Sequence, residues 1–353
     1  MSEVVLFDWG DTVMRVFPEY EGPMAGWPQV EAVPGVAEAL QVLHPRYRLV
    51  LATNAAESGA TLVCQALRRV GLEEYFEAVF TARELGARKP DPAFFQAVLA
   101  RLGCAPCEVA MVGDEYRVDV AGAKEAGLRA VWFNPAVRSC PAAHPLYDAE
   151  VLAMGDLPVA LDNLRLPDWD ESMALLAGQD APPRVLEHSK AVAALAYRLA
   201  FRLRELGERV DPLLAHRGGL LHDLDKITSR RLNQTHGQLG AQVLRQKGYP
   251  EELATIVERH LMFTLSDPAR RPTTWEEKLV HYVDKIVEGD TVVSVAERFE
   301  ALRQRYPEYA EEYVRCLPAV LELEAEICDR LEWPRNQFFP SSPGTQINAD
   351  ERR

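Results

Sequence analysis

Short apolar runs alternate with segments of helical periodicity over the first 165 residues. These runs predict strands at residues 4–7, 49–52, 78–80, 109–112 and 130–133. Such alternation requires a parallel sheet with helices packed on its faces. Asp8 follows the first run, Thr53 and Asn54 follow the second, and Asp114 follows the fourth. Because ligands bind beyond the carboxyl ends of parallel strands, we expect these side chains to converge on one crevice.

The rest of the chain shows a different pattern. Residues 166–183 contain several Pro, Asp and Gly residues and predict a linker. Beyond them, apolar residues recur at spacings of three and four, which predicts an all-α domain over residues 184–340. Its predicted helices are residues 185–205, 212–224, 237–247, 251–260, 275–287 and 311–331. Residues 341–353 have no apolar period and are expected to form a disordered tail.

Composition limits the partners and the compartment. The formal net charge of −14 disfavours general binding to nucleic acid or to anionic membranes. Six cysteines in 353 residues are too few for a secreted disulfide framework. The N-terminus lacks the pattern of a signal peptide, and no stretch approaches the ~20 apolar residues of a spanning helix. We therefore expect a cytoplasmic protein without membrane or general nucleic-acid contacts.

The strand-end residues are accompanied by Lys89, in the sequence RKPDP, and by Asp119, five residues after Asp114. An aspartate such as Asp8 can attack phosphorus when a divalent cation and a lysine offset the charge repulsion. In that chemistry Asp8, Asp114 and Asp119 would bind the cation and Lys89 would face the phosphate. Thr53 and Asn54 are the further candidate contacts for phosphate.

The motifs DWGDT, LATN, RKPDP and VGDEYRVD resemble, in this order, those of the haloacid dehalogenase superfamily of phosphatases and related hydrolases. The resemblance covers residues 1–165 and implies a Rossmann-like α/β domain that uses Mg²⁺. Residues 14–31 are too few for the large helical cap of many relatives, so we expect a minimal cap.

One position departs from the superfamily pattern. Its phosphatases carry a second aspartate two residues after the nucleophile, as general acid and base, and here that residue is Gly10. Asp11 stands where the usual pattern has glycine, so its side chain is expected to point elsewhere. General acid–base catalysis contributes about 10²–10⁴-fold to a rate. Two hypotheses stay open, a weak or specialised phosphatase and a domain that binds phosphate without hydrolysing it.

Histidine is concentrated in the helical part of the chain. Six of the eight histidines lie there, namely His188, His216, His222, His236, His260 and His281. Imidazole and carboxylate together are typical ligands of iron, manganese, nickel or zinc. His222 and Asp223 are consecutive, and neighbours on a helix diverge by about 100°, so a shared cation needs ligands from other helices.

The order His, His-Asp, Asp resembles the HD superfamily of metal-dependent phosphohydrolases, whose fold is a helical bundle. On that resemblance, one metal is bound by four residues, His188, His222, Asp223 and Asp284. His236 and His260 match the extra histidines of the two-metal branch. The resemblance therefore implies one or two transition metals.

Basic residues follow the His-Asp pair. Lys226 completes the HDxxK pattern and would face the phosphate. Arg230 and Arg231 either hold a second phosphate or form a solvated basic turn. His216 and His281 match no ligand position of the family.

Together these features predict a two-domain metal-dependent phosphohydrolase that acts on nucleotides or other small phosphate esters and phosphodiesters. Every ligand position of the second domain is filled, so we expect that domain to be the more surely active. The alternative is a nucleotide-sensing protein whose first domain binds a phosphorylated ligand without turnover and regulates the second. Gly10 is the residue that keeps this alternative open.

Overall fold

The computed structural model describes residues 3–333, which form two compact units. The first unit ends at Leu164 and the second begins at Arg165, while Ala142–Pro145 is grouped with the second. The expected tail at residues 341–353 lies outside the described residues.

A six-stranded parallel sheet forms the centre of the first unit. Its strands are β1 (Val4–Phe7), β2 (Arg48–Thr53), β3 (Ala78–Thr81), β4 (Val109–Gly113), β5 (Arg129–Phe133) and β6 (Ala149–Val151). The strands lie in the order β3-β2-β1-β4-β5-β6. The carboxyl ends of β2, β1 and β4 are therefore neighbours, at the point where the strand order reverses and where open α/β sheets bind ligands.

All five predicted strands are present, and β6 is an additional one. Only Val151 of its three residues is fully buried, and Glu150 interrupts the apolar pattern. By contrast, all four residues of β1 are buried, as expected for a central strand that is covered on both faces. The helices of this unit are α1 (Val36–Leu43), α2 (Ala60–Arg69), α3 (Ala82–Leu85), α4 (Pro92–Leu102), α5 (Gly122–Glu125) and α6 (Leu157–Asp162).

The segment between β1 and α1 confirms the prediction of a minimal cap. Within residues 14–31 the structure has a single three-residue 3₁₀ helix, Met24–Gly26. The Trp27 ring packs against the rings of Phe17 and Tyr20, with centroid distances of 6.4 and 5.6 Å.

The second unit is helical, as predicted. Its helices in the described residues are α7 (Trp169–Ala177), α8 (Pro183–Glu205), α9 (Pro212–Leu221), α10 (Lys226–Leu232), α11 (Gln238–Gln246), α12 (Glu251–Arg259), α13 (Trp275–Asp284), α14 (Val295–Arg305) and α15 (Ala310–Leu331). One short antiparallel pair, β7 (Val287–Glu288) and β8 (Thr291–Val292), interrupts the helices. Within residues 3–333, no helix combines the length and the apolar character needed to cross a bilayer.

Two helices of the second unit end earlier than their apolar periodicity predicts. The helix α9 ends at Leu221, so His222 and Asp223 lie in the turn before α10. Lys226 begins α10 and does not share a helix with the His-Asp pair. The helix α13 ends at Asp284, which is therefore a helix-terminal residue. In a turn, consecutive side chains are released from the divergence that a helix imposes on neighbours.

The segment at 166–183 also differs from the predicted linker. It contains α7, which begins with a capping box between Asp168 and Glu171. Leu175 and Leu176 of α7 are buried in an apolar cluster of the second unit that also contains Leu220. The segment therefore belongs to that unit, because burial of one helix face outweighs its Pro and Gly content.

Candidate functional site

The carboxylates at the strand ends of the first unit lie together. Asp8 follows β1 and Asp114 follows β4, and one oxygen from each of Asp8, Asp114 and Asp119 lies within 4.8 Å of the other two. The Thr12 hydroxyl donates a hydrogen bond of 3.3 Å to Asp114 Oδ1. Three carboxylates at this spacing are a suitable donor set for a hard divalent cation such as Mg²⁺.

Lys89 lies against two of these carboxylates. Its buried Nζ is 2.6 Å from Asp8 Oδ1 and 2.6 Å from Asp119 Oδ1. Burial alone would lower the pKa of Lys89, but the two carboxylates raise it above its ordinary value. The lysine therefore carries a positive charge into the site.

Asn54 and Thr53 lie beside this lysine at the end of β2. The Asn54 Nδ2 donates to the Lys89 carbonyl at 2.9 Å, and its Oδ1 accepts from the Lys89 N–H at 2.7 Å. Asn54 thus holds the backbone of Lys89 in place. The Thr53 hydroxyl oxygen accepts a hydrogen bond of 3.1 Å from the Ala55 N–H. A direct contact of Thr53 or Asn54 with phosphate stays a prediction.

Asp119 reaches the site from a short π-helix, Tyr116–Ala121. Its Oδ2 accepts the Glu115 N–H at 3.1 Å. The approach depends on Gly113, because a Cβ atom at Gly113 would lie only 2.3 Å from Asp119 Oδ2. A side chain at position 113 would therefore displace Asp119, and this requirement for glycine can be recognised only in the folded chain.

The acid–base position of the first unit has no carboxylate, because Gly10 stands two residues after Asp8. Asp11 has a φ of 52°, in the left-handed region that favours glycine. Its Oδ1 accepts a hydrogen bond of 2.9 Å from the Val16 N–H. The side chain of Asp11 is thus engaged in its own turn.

Lys89 offsets only part of the negative charge of the three carboxylates in the first unit. Burial, with the nearby carboxylates of Asp8 and Glu115, raises the pKa of Asp114 to about 6. A divalent cation bound at these oxygens would offset the repulsion that raises this pKa.

The second unit brings five of the six predicted metal ligands together in two clusters that share one residue. Atoms of His188, His222 and Asp223 lie within 4.8 Å of one another, and so do atoms of Asp223, His236 and His260. The Asp223 carboxylate belongs to both clusters.

Asp284 adjoins the first cluster. Its Oδ1 lies 3.0 Å from His188 Nε2 and 3.7 Å from His222 Nε2. Asp284 also accepts a hydrogen bond from the Lys285 ammonium group. The Arg298 guanidinium lies farther away, 3.8 Å from Asp284 Oδ1.

The four histidines share one orientation. Each places its Nδ1 at hydrogen-bond distance from an oxygen, namely Gly289 O for His188, Gly219 O for His222, Asp225 Oδ1 for His236 and Val257 O for His260. With Nδ1–H donated in this way, an imidazole that has lost its Nε2 proton would direct the Nε2 lone pair to a cation held between the carboxylates. The Nε2 of His222 is buried without a hydrogen-bond partner. These donors fit a transition metal, because a cation would satisfy the lone pairs and the carboxylates together.

Asp225, which was not among the predicted site residues, lies behind His236 of the second cluster. It is fully buried, its Oδ1 is 2.7 Å from His236 Nδ1, and its two oxygens accept the Gly237 N–H at 3.2 and 2.9 Å. The sequence signal was the second aspartate of HDLDK. A carboxylate behind a ligating histidine fixes the orientation of its ring.

The two predicted arginines lie in different places. Arg230 lines a cavity of about 350 Å³ that also includes Lys226, and its guanidinium carbon is 5.8 Å from the centre of the Tyr306 ring. Arg231 instead forms an exposed ion pair of 2.9 Å with Asp180. The structure therefore places Arg230, but not Arg231, in the cavity that the candidate metal ligands line.

The other two histidines of the predicted helical domain, His216 and His281, stay outside both clusters. His216 Nε2 is 3.0 Å from His144 Nδ1, and the Nδ1 of His281 donates to the Arg259 carbonyl at 3.1 Å. Within residues 3–333, neither histidine belongs to a group of candidate metal ligands.

The charges of the second site favour ionised carboxylates. Burial alone would raise the pKa of Asp223, but Lys226 and the adjacent His222 hold it well below its ordinary value. Burial opposes the charge of His236 as well, yet hydrogen bonds to Asp223 and Asp225 raise its pKa to about 9.

This pKa predicts that binding of a metal at the second cluster strengthens with rising pH. Below pH 9 His236 is protonated in the metal-free protein, and a metal must displace that proton to reach Nε2. We expect the apparent association constant for Mn²⁺ to rise about tenfold between pH 7 and 8, and less steeply as the pH approaches 9. Calorimetry in two buffers of different ionisation enthalpy measures the proton released. Asp225→Asn should make the slope shallower, and an affinity that is constant from pH 7 to 8.5 would contradict the assignment.

The comparisons with known proteins place each unit in a family. A haloacid dehalogenase-like hydrolase model matches residues 4–127, and an HD domain model matches residues 185–302. An uncharacterized protein of Methanocaldococcus jannaschii is 36% identical over 131 residues, which are 34% of this chain and 76% of that protein. A phosphoserine phosphatase of Thermus thermophilus is 41% identical over 110 residues, which are 31% of this chain and 41% of that enzyme.

Among solved structures, an uncharacterized protein from Listeria monocytogenes serotype 4b is 26% identical, with a TM-score of 0.41. The match covers 46% of this chain and 98% of that one. The chain spans less than half the length of the phosphoserine phosphatase that it matches. The two family models agree with the two units of the fold, and the chain therefore joins a haloacid dehalogenase-like hydrolase domain to an HD domain.

Proposed function

We propose that this protein is a metal-dependent phosphohydrolase whose HD domain hydrolyses nucleotides or related small phosphate esters and phosphodiesters. The observation that carries the proposal is the Asp223 carboxylate, which belongs to two clusters of buried histidines. A carboxylate shared in this way is suited to hold two cations a short distance apart.

Each residue of the HD site has a specific task in this proposal. His188, His222 and Asp284 would hold the first cation with Asp223, and His236 with His260 would hold the second. When bound, the cations would polarise phosphate oxygens and lower the pKa of an attacking water.

Two basic residues of the HD site would orient the phosphate. Lys226 is held by an ion pair of 2.5 Å with Asp223, and it lines the same cavity as Arg230. Their positive charges would bind the phosphate oxygens and align the scissile bond with the cluster.

The first domain has the groups for phosphoryl transfer to Asp8. Lys89 would offset the charge between this carboxylate and a phosphate, and Asp114 with Asp119 would hold Mg²⁺. Similarity to a phosphoserine phosphatase supports phosphoester chemistry.

A second candidate function is a sensor, in which the first domain binds a phosphorylated ligand without turnover and regulates the HD domain. One observation favours it. Gly10 supplies no acid, and the carboxylate of the adjacent Asp11 is bonded to the Val16 N–H.

A screen for released phosphate tests the proposal. Three full-length proteins, the wild type, Asp8→Asn and Asp284→Ala, are assayed with Mn²⁺ on nucleotides, dinucleoside polyphosphates and phosphodiesters. We expect Asp8→Asn to retain activity that Asp284→Ala loses. His281→Gln, which alters a buried histidine outside the clusters, is the matched control. If Asp8→Asn is inactive on every substrate while Asp284→Ala is active, the assignment of the HD domain is wrong.

The number of metals provides a further prediction. Replacing His236 or His260 with alanine should halve the metal content of a two-metal protein, because each side chain belongs to the second cluster alone. Elemental analysis of anaerobically purified protein measures this ratio. If the wild-type protein never holds more than one metal per HD domain, His236 and His260 are not ligands of a second metal, and contact with the substrate would be their remaining role.

A further inference from the structure

The loop that follows β5 brings a second cation to the carboxylates of the first domain. The strands β5 and β4 are parallel neighbours, with Trp132 beside Gly113, so the residues after Phe133 lie next to Asp114. In this loop the Arg138 Nη2 donates a hydrogen bond of 2.6 Å to the Asp114 carbonyl, and it lies 3.7 Å from Asp114 Oδ2. Arg138 thus contacts the one carboxylate of the cluster to which Lys89 makes no ion pair.

The backbone of Arg138 is held in the same way as that of Lys89. The Asn134 Nδ2 donates to the Arg138 carbonyl at 2.8 Å, and the Asn134 Oδ1 accepts from the Arg138 N–H at 2.9 Å. Asn54 makes the same two bonds to Lys89, at 2.9 and 2.7 Å. Asn134 is fully buried, and its Nδ2 also donates to Glu150 Oε1 at 2.6 Å. Both cations are therefore fixed at their backbone by an asparagine that directly follows a strand.

The residue before Arg138 has a strained backbone. Val137 has a φ of 51°, in the left-handed region that a β-branched side chain rarely enters. Its N–H donates to the Asn134 carbonyl at 3.0 Å, which closes a tight turn. Such strain persists only where the surrounding structure imposes it, and it is concentrated at functional sites. The turn therefore places Arg138 at a local cost in conformational energy.

The two cations differ in their exposure. The side chain of Lys89 is fully buried, whereas that of Arg138 is 47% exposed. Among the described residues, the side-chain contacts of Arg138 are with Asp114 alone and use Nη2, so Nε and Nη1 keep N–H groups for a ligand. A guanidinium presents its donors as a planar fork that matches the paired oxygens of a carboxylate or a phosphate.

The minimal cap leaves recognition of a leaving group to loops of this kind. Within residues 14–31, which separate β1 from the start of α1, only Met24–Gly26 is helical. Side chains on loops at the carboxyl ends of the strands then carry the contacts that distinguish one ester from another. Arg138 is such a side chain.

We propose that Arg138 selects, for the first domain, phosphate monoesters that carry a second anionic group, either a carboxylate or a further phosphate. This inference rests on the phosphoryl chemistry proposed for that domain. Lys89 faces the phosphate at Asp8, and the fork of Arg138 binds the second group on the side of Asp114. Because Arg138 Nη2 is 3.7 Å from a carboxylate oxygen of the cluster, the two anionic groups are close together in the substrate. An ester with an uncharged leaving group leaves the fork in water.

Two matched pairs of short esters test this selection. Full-length Asp223→Ala protein with Mg²⁺ is used, so that released phosphate comes from the first domain. Phospholactate is compared with isopropyl phosphate, in which a methyl group replaces the carboxylate, and ethylene glycol bisphosphate is compared with hydroxyethyl phosphate. We expect kcat/KM to be at least about tenfold higher for the doubly anionic ester of one pair or both, the gain from a charge-assisted hydrogen bond. The pair that shows the gain distinguishes a carboxylate from a phosphate.

Substitutions of Arg138 separate selection from a structural role. Arg138→Gln should lower the ratio of kcat/KM within the pair by about tenfold, because the charged fork is lost. Arg138→Lys keeps the charge without the fork and should give an intermediate ratio. Arg46→Gln is the matched control and should leave the ratio unchanged. Arg46 is 43% exposed, pairs with Asp162 and precedes β2, at the opposite edge of the sheet. If Arg138 only supported Asp114, Arg138→Gln would lower kcat/KM equally for both esters, which would overturn the inference.

A ratio near one in both pairs would also overturn the inference, while turnover of the esters would leave the phosphoryl chemistry of the domain standing. If the protein hydrolyses none of the four esters, that chemistry fails, and calorimetric binding with Mg²⁺ decides the inference. Binding of a doubly anionic ester at least about tenfold tighter than that of its partner, with the difference lost in Arg138→Gln, would support it. Equal affinities within both pairs would contradict it.

Discussion

Asp223→Ala should abolish metal binding at both clusters of the HD domain at once. Each cluster loses the carboxylate that the two share, and the positive charge of Lys226, now 2.5 Å from Asp223 Oδ2, is left without its partner. Because bound cations would supply several kcal/mol of catalysis, we expect phosphate release by this domain to fall by at least about 10³-fold. Elemental analysis and a phosphate assay measure the two effects.

Asp284→Ala is the comparison that makes this result specific. Asp284 contacts His188 and His222 of the first cluster, so its loss should remove one metal and spare the second. His281→Gln controls for the loss of a buried histidine, and circular dichroism controls for folding. An Asp223→Ala protein that is folded and keeps the metal content of the wild type would refute the shared-ligand assignment.

Gly10→Asp should raise the phosphomonoesterase activity of the first domain by about 10²–10⁴-fold if Asp8 is still a nucleophile. The new carboxylate would supply the acid and base that the motif lacks. The site accepts a side chain, because Gly10 lies outside the left-handed region and its Cβ would meet only Val16 Cγ2, at 3.0 Å. Val16 is 44% exposed, so its side chain is free to move aside.

The assay uses an Asp223→Ala background, so that released phosphate comes from the first domain. An activated aryl phosphate and nucleoside monophosphates are the substrates. Gly10→Ala is the matched control, since it adds the Cβ without the acid. Adding Asp8→Asn should abolish the gain. A folded Gly10→Asp protein that binds Mg²⁺ and hydrolyses none of these substrates would favour the sensor function instead.

The sequence by itself determined the class of each domain and the groups at its site. Apolar runs that end in Asp8, Thr53 or Asp114 predict strand ends on one edge of a parallel sheet, because such strands share a direction. The absence of an acid–base aspartate is likewise visible in the sequence, because it depends only on the residue at position 10, which is Gly10. The order of His188, His222, Asp223 and Asp284 resembles the HD pattern without any knowledge of distance.

The tertiary structure decided what depends on where chain segments end and approach one another. The helical periodicity of residues 212–224 continues through His222 and Asp223, but α9 ends at Leu221 and the pair lies in a turn. The orientation of His236 by Asp225, the close approach of Asp119 to Gly113 and the separation of Arg230 from Arg231 follow from packing between segments. Periodicity describes one helix at a time, whereas the shared carboxylate of Asp223 exists only after several segments have met around it.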